Sequence, residues 1–323
     1  MRSRSPRAAG INSRPSRVAK ICLGLNTEDG LLISSPSLRQ IWIVSRSDGQ
    51  KGFHRAQSLA HGTHILLLDD DIEIPPEYLE SLVQFMLTNP SMGAVSGGLL
   101  EEENGQLLDS LKRHVSVPGL CWNMLFQLGT WVDIGEIKPP RGFRAVFKWV
   151  SQYYAGRVNT STLAGWPLVT QMHGDSFRTK FFGLGAALIR RNWLLDSRYD
   201  EILGPHGIGD NYGVALHFPG PITVLRSVSA IHHRSSINRP PASVAYYRRV
   251  LALDYFIRIS DEYAYWKSLM LFWSLLGNLP VQLIHLRMRE ALATVKALLV
   301  IGSGTNPYLA KRRRRDQEAV FSV

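Results

Sequence analysis

HGTHILLLDDDIEIPPEYLE, residues 61–80, is the stretch from which the fold can be read. Ile65 to Leu68 is a short unbroken apolar run, as in a strand covered on both faces, and Pro75-Pro76 ends the element soon afterwards. Asp69, Asp70 and Asp71 therefore fall where a buried strand surfaces, and Tyr78 to Met86 is expected to leave the same edge as a helix. Three adjacent carboxylates repel one another, so they need solvent or a cation between them. A hard divalent ion, Mg2+ or Mn2+, takes oxygen ligands and keeps waters and substrate phosphates in its shell. The same three residues also suit a solvated acidic loop that caps the following helix, and this stretch alone does not separate the two readings.

Upstream, Val18 to Leu25 and Ile41 to Ser45 are apolar enough for strands, with room for only a short helix or an irregular link over Leu31 to Gln40. Downstream, Met92 to Val95 predicts a strand leading into Gly97-Gly98, and Glu101 to Glu103 with Asn104-Gly105 predicts the polar tip of a hairpin. FFGLGAALIRR, residues 181–191, holds a compact buried run from Ala186 to Ile189, followed by a short helix from Asn192. Ile222 to Val224 and Ser229 to Ile231 are two further strand pieces. Strands separated by helical stretches predict an α/β domain with a mixed, mainly parallel central sheet and flanking helices. Ligands in such sheets bind beyond the C-terminal strand ends, where the three aspartates lie.

The formal net charge of +11 is concentrated at the two ends of the sequence. Arg2, Arg4, Arg7, Arg14, Arg17 and Lys20 supply six unopposed cations and the run 311–315, KRRRR, supplies five, so the body is near neutral. That distribution fits attraction to anionic phospholipid and argues against specific nucleic-acid binding, for which finger, basic-zipper and RNA-binding signatures are all missing. Cys22 and Cys121 are isolated thiols and support neither a disulfide framework nor a zinc site. No apolar signal core follows the basic start, so a cytoplasmic location is expected, at the inner face of the cell membrane. The expected organisation is a disordered basic tail over 1–17, a main domain over 18–260 with an insertion around 101–180, a helical, membrane-associated segment over 261–310 and a basic tail over 311–323.

The middle of the chain is rich in aromatic residues. Trp122, Trp131, Trp149 and Trp166 suit either an acceptor platform or the core of an insertion, and Arg141, Arg144 and Lys148 read as surface charges. Ala242 to Ile259 predicts a helix anchored by Tyr246, Tyr247, Leu251 and Tyr255. Ser268 to Ile284 is strongly apolar but interrupted by Gly277, Asn278, Pro280 and Gln282, and falls short of a spanning helix. Met288, Leu292, Val295 and Leu299 then follow helical spacing, as an interfacial anchor or as a face docked on the domain.

Three places away from the aspartates carry candidate chemistry. Gly183 and Gly185 leave backbone open to close approach. Asp210 sits in GPHGIGDNYG, residues 204–213, where three glycines leave its acid at a cavity rim. His232 and His233 emerge from a strand end, and one imidazole added to an oxygen-rich shell suits Mn2+ or Mg2+ on a diphosphate.

The order LDDD, GLGAALIRR, a glycine-rich loop with Asp210, then AIHHRS resembles the inverting family 2 glycosyltransferases of the GT-A fold, over about residues 18–260. By that resemblance Asp69 and Asp70 would lie on the nucleotide side of a nucleotide-sugar donor, and Asp71, with His232 or His233, would hold the divalent cation. Gly183 and Gly185 would lie beside the donor sugar, and Asp210 would be the base that deprotonates a glycan or lipid-linked acceptor. Ser45 stands where the family carries an acid that reads the nucleotide base, and Gly209 replaces its frequent Glu before the catalytic base. The implied role is sugar transfer in lipid-linked or cell-surface polysaccharide synthesis. The alternatives are a nucleotidyltransferase or phosphosugar enzyme of related fold, and a catalytically weakened binding protein at a membrane.

Overall fold

The computed structural model describes residues 31–33, 41–45, 62–69, 71–103, 106–109, 115–197, 200–203, 209–233, 240–260 and 266–321. The expectations for 1–17, for the strand at Val18, for Asp70, for Cys22 and for the tip at Asn104-Gly105 lie outside those residues.

In chain order the first half contains β1 (Leu31–Ile33), β2 (Ile41–Ser45), β3 (His64–Leu68), β4 (Ile72–Glu73), α1 (Pro76–Thr88), β5 (Ala94–Glu103), β6 (Gln106–Asp109), α2 (Val117–Leu125), β7 (Thr130–Trp131) and α3 (Arg144–Ala155). Then come β8 (Leu168–Val169), β9 (Ser176–Thr179), β10 (Ala186–Arg190), α4 (Arg191–Asp196), α5 (Asp210–Leu216), β11 (Ile222–His233), α6 (Ala242–Ile259), α7 (Trp266–Ile284), α8 (Met288–Gly302) and α9 (Pro307–Phe321).

The central sheet runs β1-β2-β3-β10-β5-β11-β4, with β6 paired to β5 and β9 to β11. β2 is parallel to β3 and β5 to β11, while β10 is antiparallel to both β3 and β5. Strands β2, β3, β5 and β11 therefore point one way, but β1, β4, β6, β9 and β10 all pair antiparallel to them, so among the described residues the sheet is mixed and mostly antiparallel rather than mainly parallel, and β10 keeps β3 and β5 from being neighbours. The two strand pieces at Ile222 and Ser229 are one strand, β11, with a register shift between Leu225 and Ser229. Leu31 to Ile33 forms neither a helix nor an irregular link: it is an edge strand antiparallel to β2.

The apolar run of β3 is continuous because both faces of the sheet are covered. Ile65 and Leu67 join Ala187, Ile189 and Val224 against helix α6, whereas Leu66 and Leu68 join Val95 and Leu188 against Tyr78 and Leu82 of α1. Tyr78 pins α1 to the sheet, since its hydroxyl donates to the Ala186 carbonyl (2.8 Å) and accepts from the Gly97 amide (2.7 Å). A side chain at Gly97 would occupy the Tyr78 ring, at 2.4 Å.

Residues 115–170 carry a separate apolar cluster of Leu120, Met124, Val150, Tyr154 and Leu168. The tryptophans there hold the C-terminal helices. Trp122 Nε1 donates to the Gly277 carbonyl and Trp166 Nε1 to Ser274 Oγ, both at 2.9 Å, while Trp149 is exposed. Gly277 and Pro280 do not interrupt α7: a Cβ at Gly277 would lie 2.1 Å from the Phe126 ring, so the glycine lets α7 press onto α2. The segment expected as a basic tail is helical in α9, where Lys311 Nζ donates to the Ile202 carbonyl (3.4 Å) and Arg312 pairs with Asp316. No described helix is long and apolar enough to cross a membrane.

Candidate functional site

Strand β3 delivers Asp69 to the C-terminal end of the sheet, and the Asp69 amide donates to the Gly185 carbonyl at 2.8 Å just before β10 begins. The DDD stretch and the FFGLG stretch are thus joined through the backbone. A Cβ at Gly185 would lie 2.2 Å from Asp69 Oδ2 and 2.6 Å from its Cγ, so any larger residue there would displace the carboxylate. Gly183 is exposed, with open space around it. Ser45 ends β2 opposite Leu68, so its backbone reaches the same sheet edge as Asp69.

After Asp69 the chain folds back as β4 against the end of β11, with His232 opposite Ile72 and Ile231 opposite Glu73. The His233 amide donates to the Asp71 carbonyl at 2.8 Å. This turn sets His232 Nε2 3.2 Å from Asp71 Oδ2 and leaves both groups partly buried.

The two histidines are not equivalent. His233 Nδ1 lies 2.6 Å from Glu102 Oε2 and its Nε2 lies 2.8 Å from Glu73 Oε2. Two carboxylates accept from one ring only if both nitrogens carry protons, so this geometry selects the imidazolium. Burial alone would lower the His233 pKa, but hydrogen bonds and charge attraction from Glu102 and Glu73 outweigh it and raise the value. Both ring nitrogens of His233 are engaged by carboxylates other than Asp71 in this arrangement. His232 is the histidine beside Asp71. Glu73 and Glu102 are site neighbours that the sequence did not point to.

Asp210 opens helix α5 after Gly209, whose φ is +93°. Only its backbone lies within the described residues; the preceding 204–208 and the Asp210 side chain do not. The helix is held by Tyr212, which stacks on Phe181 at 4.2 Å and donates its hydroxyl to the Gly165 carbonyl at 2.7 Å. The end of that glycine-rich stretch, from Gly209 on, is therefore a helix start.

Among the described residues no three His, Cys, Asp or Glu side chains are grouped to hold an ion. The Asp71 and His232 pair nonetheless suits an ion that completes its shell elsewhere. Two adjacent donors on an octahedral Mg2+-like ion with ligands at ~2.0–2.1 Å stand about 3 Å apart, and such ions commonly take only one or two protein ligands beside waters and substrate phosphates. The observed 3.2 Å separation meets that condition.

A surface groove of about 570 Å3 lined by Glu77, Ser81, Phe85, Asp175 and Leu225 runs along α1, and neither Asp69, Asp71 nor His232 lines it.

No protein-family model matches the chain, and no curated protein matches it. Three of the solved structures similar to it have TM-scores of 0.35 to 0.37. One is a mannosyltransferase, PcManGT from Pyrobaculum calidifontis in complex with GDP-Man and Mn2+, at 13% identity and TM-score 0.36, covering 85% of this chain and 61% of that one. Others are S. aureus TarS 1-349 in complex with UDP-GlcNAc, at 10% identity, TM-score 0.37 and coverage of 80% and 73%, and GalNAc-T7 with UDP, GalNAc and Mn2+, at 11% identity, TM-score 0.35 and coverage of 64% and 34%. The chain spans 34% of the length of the GalNAc-T7 structure and 51% of that of another S. aureus TarS 1-349 structure.

Proposed function

We propose that the chain is a metal-dependent inverting transferase of the GT-A fold, moving a sugar from a nucleoside-diphosphate donor to a hydroxyl of a glycan or lipid-linked acceptor in cell-surface polysaccharide synthesis. The observation that carries the reading is the meeting, at one edge of the sheet, of Asp69 and Asp71 between β3 and β4, Gly185 just before β10, and His232 near the end of β11. The ordered motif series that resembles family 2 glycosyltransferases runs through the same positions.

In this reading Asp71 Oδ2 and His232 Nε2 hold Mg2+ or Mn2+, which when bound supplies charge neutralisation for the departing diphosphate. His233, clamped by Glu73 and Glu102, keeps the strand end rigid and fixes the direction of its neighbour. Asp69 faces the nucleotide, Ser45 takes the place of the base-reading acid, and Gly183 leaves room for the donor sugar. Asp210, at the start of α5, accepts the acceptor hydroxyl proton as that oxygen bonds to the anomeric carbon. The bond from that carbon to the diphosphate oxygen breaks on the opposite face, so the configuration inverts.

The test is a screen of nucleotide sugars with Mn2+, followed by calorimetry on the donor that is turned over. Asp71→Ala is expected to remove the metal-dependent part of donor binding, and Asp210→Asn to keep donor binding but abolish transfer. Equal donor affinity for wild type and D71A, with and without Mn2+, would refute the metal assignment, and near-normal turnover by D210N would refute the base.

A further inference from the structure

Helices α7 and α8 form a hairpin that is apolar on both of its faces. On α7, Leu271, Ser274, Leu275 and Gly277 face the domain, while Trp266, Leu269, Trp273, Leu276 and Leu283 recur at three- and four-residue spacing on the exposed side. On α8, Ala291, Thr294, Ala297, Leu298 and Ile301 are buried, and Met288, Leu292, Val295 and Leu299 point outward. The stripe that helical spacing picks out in the sequence is therefore the outer one.

The turn between the helices is the most exposed part of this face. Ile284 and Leu286 are 77% and 82% exposed, and Leu286 has a φ of +54°. Leu125 extends the patch, since its carbonyl accepts from Trp273 Nε1 at 2.9 Å and its side chain is exposed. Exposed apolar side chains gathered on one face in this way mark a contact surface rather than the scattered single residues of an ordinary exterior.

Charge selects the occupant. Between residues 266 and 302 the cations are Lys267, Arg287, Arg289 and Lys296, against the single acid Glu290. Arg287 and Arg289 flank Met288 at the turn and are exposed. A second copy of the chain would set like charges against each other around a protruding turn, whereas an anionic headgroup layer satisfies the cations and admits the aliphatic tip. Tryptophan at the same face suits a water-lipid boundary. With no described helix able to cross a bilayer, the hairpin is suited to lie in its interface.

We propose that the outer face of the α7–α8 hairpin docks onto an anionic lipid bilayer, with Ile284 and Leu286 among the acyl chains and Arg287 and Arg289 at the headgroup phosphates. The inference stands on the hairpin alone, so it survives or fails independently of the sugar-transfer chemistry.

The experiment is co-sedimentation of the full chain with vesicles of phosphatidylcholine alone and of phosphatidylcholine mixed with phosphatidylglycerol, at low and high salt. The wild type is expected to bind the mixed vesicles, more weakly as salt rises. Leu286→Asp and Ile284→Asp should each weaken that binding more than about tenfold, with an unchanged melting temperature because both side chains are exposed. Arg287→Gln and Arg289→Gln should each weaken it about fivefold, and only on anionic vesicles. The run Lys311 to Arg315 also attracts anionic lipid, so the aspartate variants carry the test. The proposal is overturned if the wild type binds neither vesicle, if L286D and I284D bind as the wild type does, or if L286D splits a wild-type dimer without changing vesicle binding.

Discussion

Replacing Gly185 with alanine probes the join between the acidic strand end and β10. The added Cβ would stand 2.2 Å from Asp69 Oδ2, 2.6 Å from Asp69 Cγ and 3.0 Å from Ile72 Cδ1. The backbone cannot retreat readily, because the Gly185 carbonyl accepts from the Asp69 amide and the next residue is in register with Leu68. Relief must come from the Asp69 carboxylate swinging away by roughly 1 Å, at an overpacking cost of about 1–3 kcal/mol. A charged hydrogen bond made by that carboxylate is worth ~1.5–3 kcal/mol. Donor affinity should therefore fall by about ten- to a hundredfold, read by calorimetry with Mn2+, alongside a lower urea midpoint. Gly183→Ala is the control: its Cβ meets nothing within 4 Å, so stability should hold or rise by up to about 1 kcal/mol. Wild-type donor affinity together with a wild-type midpoint in G185A would refute the reasoning.

Gly209→Ala should lower stability by about 2 kcal/mol by urea denaturation, since alanine at φ +93° is strained and its Cβ would sit 2.8 Å from Ala252 Cβ. Gly174→Ala shares the positive φ but has only Ser176 O at 3.8 Å, so a smaller loss there isolates the Ala252 contact, and equal losses would deny it. His64 is buried beside Arg190, and burial first, then the Arg190 charge, lower its pKa from 6.5 to about 4. Between those values the unfolded chain holds the extra proton, so stability present above pH 6.5 is lost as pH falls, by about 2 kcal/mol from pH 7.5 to 5. His64→Leu should remove that part of the pH slope in denaturation curves, and an unaltered slope would show that another group is responsible.

What the sequence made legible was whatever both faces of the sheet enforce locally. Ile65 to Leu68 and Ala186 to Ile189 are unbroken apolar runs because helices cover them from two sides, and the pattern alone reveals that. Strand direction is another matter: an apolar run reads the same whichever way it pairs, so the antiparallel placement of β10 was hidden. Helical spacing exposed the stripe at Met288 and Leu292 but not its orientation, since Ala291, Ala297 and Leu298 form an equally apolar inner stripe. In the candidate site, Asp69, Asp71 and the pair His232-His233 stood out at strand ends, but which histidine lies beside Asp71 did not, and the proposed roles of Asp70, Ser45 and Asp210 rest on motif order. Glu73 and Glu102 did not stand out, because they meet His233 across 160 and 131 residues and no local signal marks such a pair.

The position of β10 also bears on how the chain reaches this structure. Residues 186–190 form the bridge between β3 and β5, so the two strands stay unjoined at the sheet centre until a segment some hundred residues further along arrives. A nascent chain emerging from its N-terminus would hold two apolar strand edges open for that interval, which predisposes it to aggregate or to recruit chaperones. Sheet closure is then a late, long-range event, and the acidic edge acquires its Gly185 neighbour only at that moment.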